Sequence, residues 1–260
     1  MSALDVAATG MLAQQLNVEV IANNIANLNT TAYKRQRPEF QDLLYQDVEL
    51  VGSTSSDTGT IDSTGIQLGT GVRASAVYRI TSQGNLVSTE NTLDLAIQEK
   101  GYFQVELPSG DTAYTRAGSF QLSPDREIVT TDGYRVLPGI TIAADVTNIT
   151  INSSGEVLVK VSGQVTPQNV GQFELAVFPN EAGLQATGSN LYMESASSGN
   201  PTTGTPGSTG FGTILQGFLE SSNVDMVTEI TSLIAAQRAY EMNSKVITTA
   251  DEMQQTANQM

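Results

Sequence analysis

Cysteine and histidine are both missing from this chain, and the two absences remove much of the usual enzyme chemistry. Without Cys there is no disulfide, no thiol nucleophile and no thiolate metal site. Without His there is no Ser-His-Asp or Cys-His catalysis, and the commonest metal ligand and pH switch is gone. Long apolar runs are missing too: none approaches the roughly 20 residues of a membrane-spanning helix. Residues 1–33 hold no Lys or Arg, so a secretory signal with a basic leading region is not expected, and export would need another route. Basic residues are scarce throughout, 12 Lys and Arg against 27 Asp and Glu, for a net charge of −15. Nucleic acid and anionic membrane would repel such a surface. Neither nucleic-acid binding nor membrane insertion is expected.

Carboxylates remain as general acids or bases, but Asp125, Glu127 and Asp132 lie in turn-rich stretches where Asp is common anyway. Gly69-Thr70-Gly71 lacks the Gly-Lys-Ser/Thr ending of a phosphate-binding loop, and residues 57–62 lack the calcium-loop pattern. No catalytic residue, cofactor or metal site is expected.

What the chain does have is an apolar stripe at each end. Leu4, Met11, Val18 and Ile25 fall seven apart, with Ala7, Ile21 and Leu28 on the adjoining track, which Gln14 interrupts. Near the other end Met226, Ile230, Leu233, Gln237, Tyr240, Ser244 and Ile247 alternate steps of three and four, and Ile234 extends the apolar content. This spacing lines one face of a helix, and such a stripe needs a partner helix. The partner is either the other end of the same chain or a neighbouring copy. The polar Gln14, Gln237 and Ser244 favour a layered interface over a dry monomeric core.

The 260 residues are read as an α+β fold: the terminal helices pair as a coiled coil forming an inner layer, and the central part of the chain is an all-β domain of short strands forming an outer layer. Residues 1–33 form an assembly helix, placed at 3–28 and about 40 Å long, with Gly10 a weak point in it. Asn23, Asn24, Asn27, Asn29, Thr30 and Thr31 end it. Residues 34–65 form a connecting arm; its apolar patch (Phe40, Leu43, Leu44, Tyr45, Val48) suits one helical turn or an extended arm, and 52–65 reads as a polar loop. Residues 66–213 form a central domain of short strands such as 102–107 and 156–161, separated by turns at Gly84-Asn85, Ser109-Gly110, Asp132-Gly133 and Ser154-Gly155. Asp132-Gly133 suits a type I′ hairpin. Residues 195–213 read as a loop. Residues 214–260 carry the second helix, placed at about 224–258, with Ser222 or Asn223 as N-cap.

Two stretches carry a family resemblance. Ile21 to Arg35 (IANNIANLNTTAYKR) is similar to the N-terminal signature of bacterial flagellar rod and hook proteins, and Ser222 to Lys245 to their C-terminal signature. The signature positions are Asn23, Asn24, Asn27, Tyr33, Lys34, Gln237, Arg238, Tyr240 and Asn243. Three further stretches, 34–46, 65–73 and 113–120, most resemble the members that build the distal part of the rod. Ala32 stands where many relatives carry Gly, which weakens the expectation of a tight turn there.

The resemblance implies a homopolymer: a tubular drive shaft crossing the periplasm, exported unfolded through the flagellar type III channel. It implies proximal rod proteins, hook protein, P and L ring proteins and a rod cap as partners. On this reading Leu4, Met11, Val18, Ile21, Ile25, Leu28, Ile230, Leu233, Ile234, Tyr240 and Ile247 pack the assembly helices. Segment 46–65, whose composition suits a dispensable surface loop equally well, is expected from the resemblance to wedge between subunits. From the residues themselves, Lys34, Arg35 and Arg37 either pair with acidic residues of a neighbour, such as Glu39, Asp42, Asp47 or Glu49, or form a plain solvated face, and the acidic surface either limits adhesion to the rings or serves ordinary solubility. A hook or proximal rod subunit is the alternative within the family. A secreted adhesive or carbohydrate-active β protein is the alternative outside it.

Overall fold

The computed structural model describes residues 3–49, 65–163 and 166–259. The chain divides into two compact units. The first takes Met1–Ala26, Gln36–Arg79 and Asp225–Met260; the second takes Asn27–Arg35 and Ile80–Val224.

In the first unit, helix α1 (Ala3–Ala26) packs against helix α2 (Met226–Gln259). Both are rich in Ala, Gln and other good helix formers. The N-cap of α2 is Asp225, not Ser222 or Asn223. Its Oδ1 accepts from the Val227 N–H at 3.3 Å and its Oδ2 from the Thr228 hydroxyl at 2.5 Å, satisfying first-turn donors. Helix α1 stops at Ala26, two residues short of the expected end. The Asn24 side chain is turned to the Gln36 backbone, donating to its carbonyl at 2.8 Å and accepting from its N–H at 2.9 Å. Beyond it, Thr30 bonds Asn27 through both backbone and hydroxyl.

The helices run antiparallel in one unbroken register. A Cβ on Gly10 would lie 2.9 Å from Asn243 Nδ2, and Asn24 Nδ2 donates to Glu229 Oε2 at 3.2 Å. Asn24 lies fourteen residues after Gly10, and Glu229 fourteen before Asn243. The midpoint of that span puts Asn17 opposite the buried Ala236.

The apolar patch after the first helix is extended, not helical. Strand β1 (Gln36–Asp42) pairs antiparallel with β4 (Val72–Arg79), with a bulge at Glu39/Phe40, and β2 (Tyr45–Glu49) pairs with β3 (Ile66–Gly69). Strands β3 and β4, read from the sequence as the opening of the central domain, therefore cluster with the helices. Thr9 anchors the ribbon, its hydroxyl oxygen accepting from the Val72 N–H at 3.3 Å. Residues 50–64, most of segment 46–65, lie outside the described residues.

The second unit is antiparallel β throughout its described strands. Phe103 sits at its centre, edge-on to Phe120 at 5.0 Å and Phe173 at 6.2 Å between ring centroids. The sheet Val146–Ile151, Glu156–Val161, Gln168–Gln172 adds Ile151, Val157 and Val159 to that core. In Glu156–Val161 buried and less buried positions alternate, as a one-sided strand requires. A separate cluster gathers Tyr102, Tyr114, Phe178 and Tyr192. The hairpin at Asp132-Gly133 is not type I′. Among its described residues only Gly133 has positive φ, and the Gly133 N–H bonds the Thr130 carbonyl. A three-residue loop, 131–133, thus closes the strands, because the Thr130 N–H bonds the Tyr134 carbonyl beyond it. Residues 195–213 are not all loop: Thr202–Gly204 pairs with Leu175–Val177, and Phe211 packs on the core.

Candidate assembly site

The helix pair is closed by small and polar residues. On α1 the buried positions are Ala7, Ala13, Val20, Ile21 and Asn24; on α2 they are Glu229, Ala236 and Ala250, with Asn243 half-buried. Gly10, Asn17 and Asn24 repeat every seven residues on one helix, and Glu229, Ala236, Asn243 and Ala250 do so on the other. Each layer placed above sets one polar side chain against a small or polar one. Polar positions in a helix seam fix register at some cost in stability.

The expected stripe residues flank this seam. Ile21 is buried; Leu4, Met11, Val18, Ile25, Leu233 and Ile247 are half-buried, as is Leu28 in the second unit. Ile230 and Ile234 (46% exposed) face outward, joined by Val227 at 73%, while Tyr240 is 43% exposed at the edge of the helix pair. One antiparallel pair thus leaves a row of large apolar side chains on the outside of α2. A groove of about 340 Å³ between Gln15, Val18, Glu19, Gln237, Tyr240 and Glu241 lies on the same pair. Of the signature positions, Asn23, Gln237 and Arg238 are exposed, Asn24 is buried in the seam, and Asn243 meets Gly10.

The remaining signature positions, Asn27, Tyr33 and Lys34, belong to the second unit, where Lys34 enters a buried ion network. Its ammonium reaches Glu220 Oε1 at 2.6 Å and donates to the Ser82 carbonyl at 2.9 Å. Arg116 Nε lies 2.6 Å from Glu220 Oε2, and its remaining nitrogens donate to the carbonyls of Gly101, Ile97 and Glu99. The Gly84 N–H also donates to Glu220 Oε1, at 2.9 Å. Burial pulls the Lys34 ammonium below its ordinary value, and the Glu220 carboxylate opposes this without overcoming it.

The idea that Lys34 pairs with a neighbour's acid is therefore overturned: its partner is Glu220 of the same chain. Arg37 lies 3.7 Å from Glu39 of its own chain, on the surface, where an ion pair is worth little. The tight turn before Lys34 exists despite the alanine: Ala32 is buried at φ 57°. Asn223 completes the junction, accepting from the Arg35 N–H at 2.7 Å and donating to the Ile80 carbonyl at 2.9 Å.

No helix among the described residues is long and apolar enough to cross a membrane. What the arrangement offers is a packed two-helix element with an uncovered apolar side.

Three family models match the chain: "Flagella basal body rod protein" over residues 4–34, "Flagellar hook protein FlgE/F/G D1 domain" over 96–159, and "Flagellar basal body rod FlgEFG protein C-terminal" over 215–260. A flagellar basal-body rod protein FlgG of Caulobacter vibrioides is 61% identical, covering 100% of this chain and 99% of that protein. Its namesake in Agrobacterium fabrum is 52% identical over 97% of each. That of Bacillus subtilis is 41% identical, over 95% of this chain and 94% of its own length.

Proposed function

The chain belongs to the family of flagellar basal-body rod proteins FlgG, and from that premise we propose that it is a non-catalytic subunit of the distal rod, polymerising into a tubular shaft that carries motor torque to the hook. The observation that carries the assembly reading is the outward row Val227, Ile230 and Ile234 on α2. Monomers seldom leave such patches without a partner. A neighbour's helix pair covers this row, and repetition of a contact that does not close generates a helical filament.

The shaft crosses the periplasm between proximal rod proteins and hook protein, inside the P and L rings, growing beneath a rod cap from subunits exported through the type III channel. Segment 46–65 stiffens it by wedging between copies. In support, Leu44, Tyr45, Ile66 and Leu68 beside that segment are all exposed, and a two-stranded ribbon is marginal alone. The net charge of −15 keeps the outer surface from adhering to the rings.

Ile234→Asp tests the assembly reading while sparing the fold, because the side chain is already half in solvent. Burying the rest of an isoleucine is worth about 1 kcal/mol per contact, and an interfacial Asp adds a desolvation cost of several kcal/mol. Sedimentation and electron microscopy should show monomers with unchanged circular dichroism and no polymer. Polymers at wild-type yield would reject the assignment of this face.

A further inference from the structure

One buried carboxylate serves two buried cations. Glu220 is held from three sides without help from the N-terminal segment: by pairing of Phe218–Glu220 with Leu86–Ser88, by the Gly84 N–H, and by Arg116. The Ser221 N–H adds a bond to the Asn85 carbonyl at 2.8 Å. Residues 27–35 lean on that C-terminal segment. The Ala32 N–H bonds the Glu220 carbonyl at 2.8 Å, the Tyr33 carbonyl accepts from the Asn223 N–H, the Arg35 N–H bonds Asn223 Oδ1, and Lys34 bonds the Glu220 carboxylate.

Removing the two segments in turn gives unequal results. With residues 27–35 undocked, Arg116 and Glu220 remain as a neutral, hydrogen-bonded pair. With residues 218–224 undocked, Lys34 and Arg116 would be two buried cations with no carboxylate bonded to both, Glu181 acting on Lys34 only from a distance, an arrangement that desolvation and like charge both oppose.

We propose that the shared carboxylate makes docking ordered: residues 218–224 seat first on Arg116, and only then does residue 27–35 latch through Lys34. The segment that follows α1 therefore closes only after the segment that precedes α2 is in place. A chain delivered in stages cannot complete this unit before its C-terminal part has arrived. The order is a property of the single chain and does not depend on what it assembles into.

Native-state amide hydrogen exchange on the full-length monomer tests it. In the unmodified chain, after correction for intrinsic rates, Ala32 and Arg35 should exchange through an opening that leaves Ser221 protected. Glu220→Gln should speed exchange at Ala32 by about 100-fold or more and at Ser221 by less. In a Lys34→Met background the same substitution should change Ala32 by less than about tenfold, since no second cation then needs the carboxylate. Equal acceleration at Ala32 with and without Lys34 overturns the proposal. If Glu220→Gln also exposes Phe103 in the core, the unmodified chain decides alone: since the Ala32 N–H bonds the Glu220 carbonyl, equal opening free energies at Ser221 and Ala32 would mean that 218–224 leaves no later than 27–35, and overturn the order.

Discussion

Gly10 sits in mid-helix, where alanine should be better by about 1 kcal/mol. The structure gives a reason for the glycine: an added Cβ would lie 2.9 Å from Asn243 Nδ2, tighter than ordinary contact. That atom ends a short side chain with two rotatable bonds, so it can yield by a few tenths of an ångström, giving up packing as it does. Gly10→Ala alone should therefore change stability by less than about 0.5 kcal/mol, the propensity gain being offset by displacement of the amide. In an Asn243→Ala background nothing opposes the methyl, and the full gain of about 1 kcal/mol should appear. The coupling between the two positions is then roughly 0.5–1 kcal/mol. Urea unfolding of the four full-length proteins, followed by far-ultraviolet circular dichroism, measures it. If Gly10→Ala yields the same 1 kcal/mol with Asn243 present, the helices do not approach closely there and the register inferred from that contact is wrong.

Gly84→Ala drives a methyl into the Ser221 carbonyl oxygen, an atom that cannot swing away, so urea unfolding should show a loss of about 2 kcal/mol; a neutral result would mean the Gly84–Ser221 approach is looser than described. Asp225→Ala removes both capping bonds of α2 and should cost about 1 kcal/mol of helix stability in a thermal melt. Lys34 has a folded value below the ordinary lysine value of 10.5 because burial disfavours its charge. Between those two values the unfolded chain binds more protons, so this group makes stability rise with pH. The difference between wild type and Lys34→Met in urea unfolding should therefore grow in favour of wild type as pH climbs toward 10.5; a difference that shrinks would reverse the sign and the cause.

Seven-residue spacing made both helices legible, and alternation made the strand Glu156–Val161 legible, because in each case burial of one side imposes a period. The line along which the helices meet was not, since Gly10, Asn17, Asn243 and Ala236 are small or polar and hydrophobicity does not mark them. A search for small and Asn residues seven apart could have found it. Nor could the partner of Lys34 be read: Glu220 is 186 positions away, and a lone Glu in an acidic chain looks like any solvated carboxylate. Segment 66–79 reads as strand from its composition, but pairing with Gln36–Asp42 and Tyr45–Glu49 rather than with the central strands is a tertiary choice. At Asp132-Gly133 the dipeptide marks a turn, while the loop length that selects its type depends on where the flanking ladder stops.

The absence of cysteine makes a direct test of the assembly face simple. Single cysteines at Val227, Ile234 and Met242 stand on the outward side of α2, and one at Ala236 stands in the seam. Labelling rates with a maleimide, measured in monomer and in polymer, should be fast in the monomer at the three outward sites and slow at 236. On polymerisation the outward sites should become protected by more than about tenfold, as burial between copies requires. Outward sites that label as fast in the polymer as in the monomer would contradict the claim that this face joins one subunit to the next.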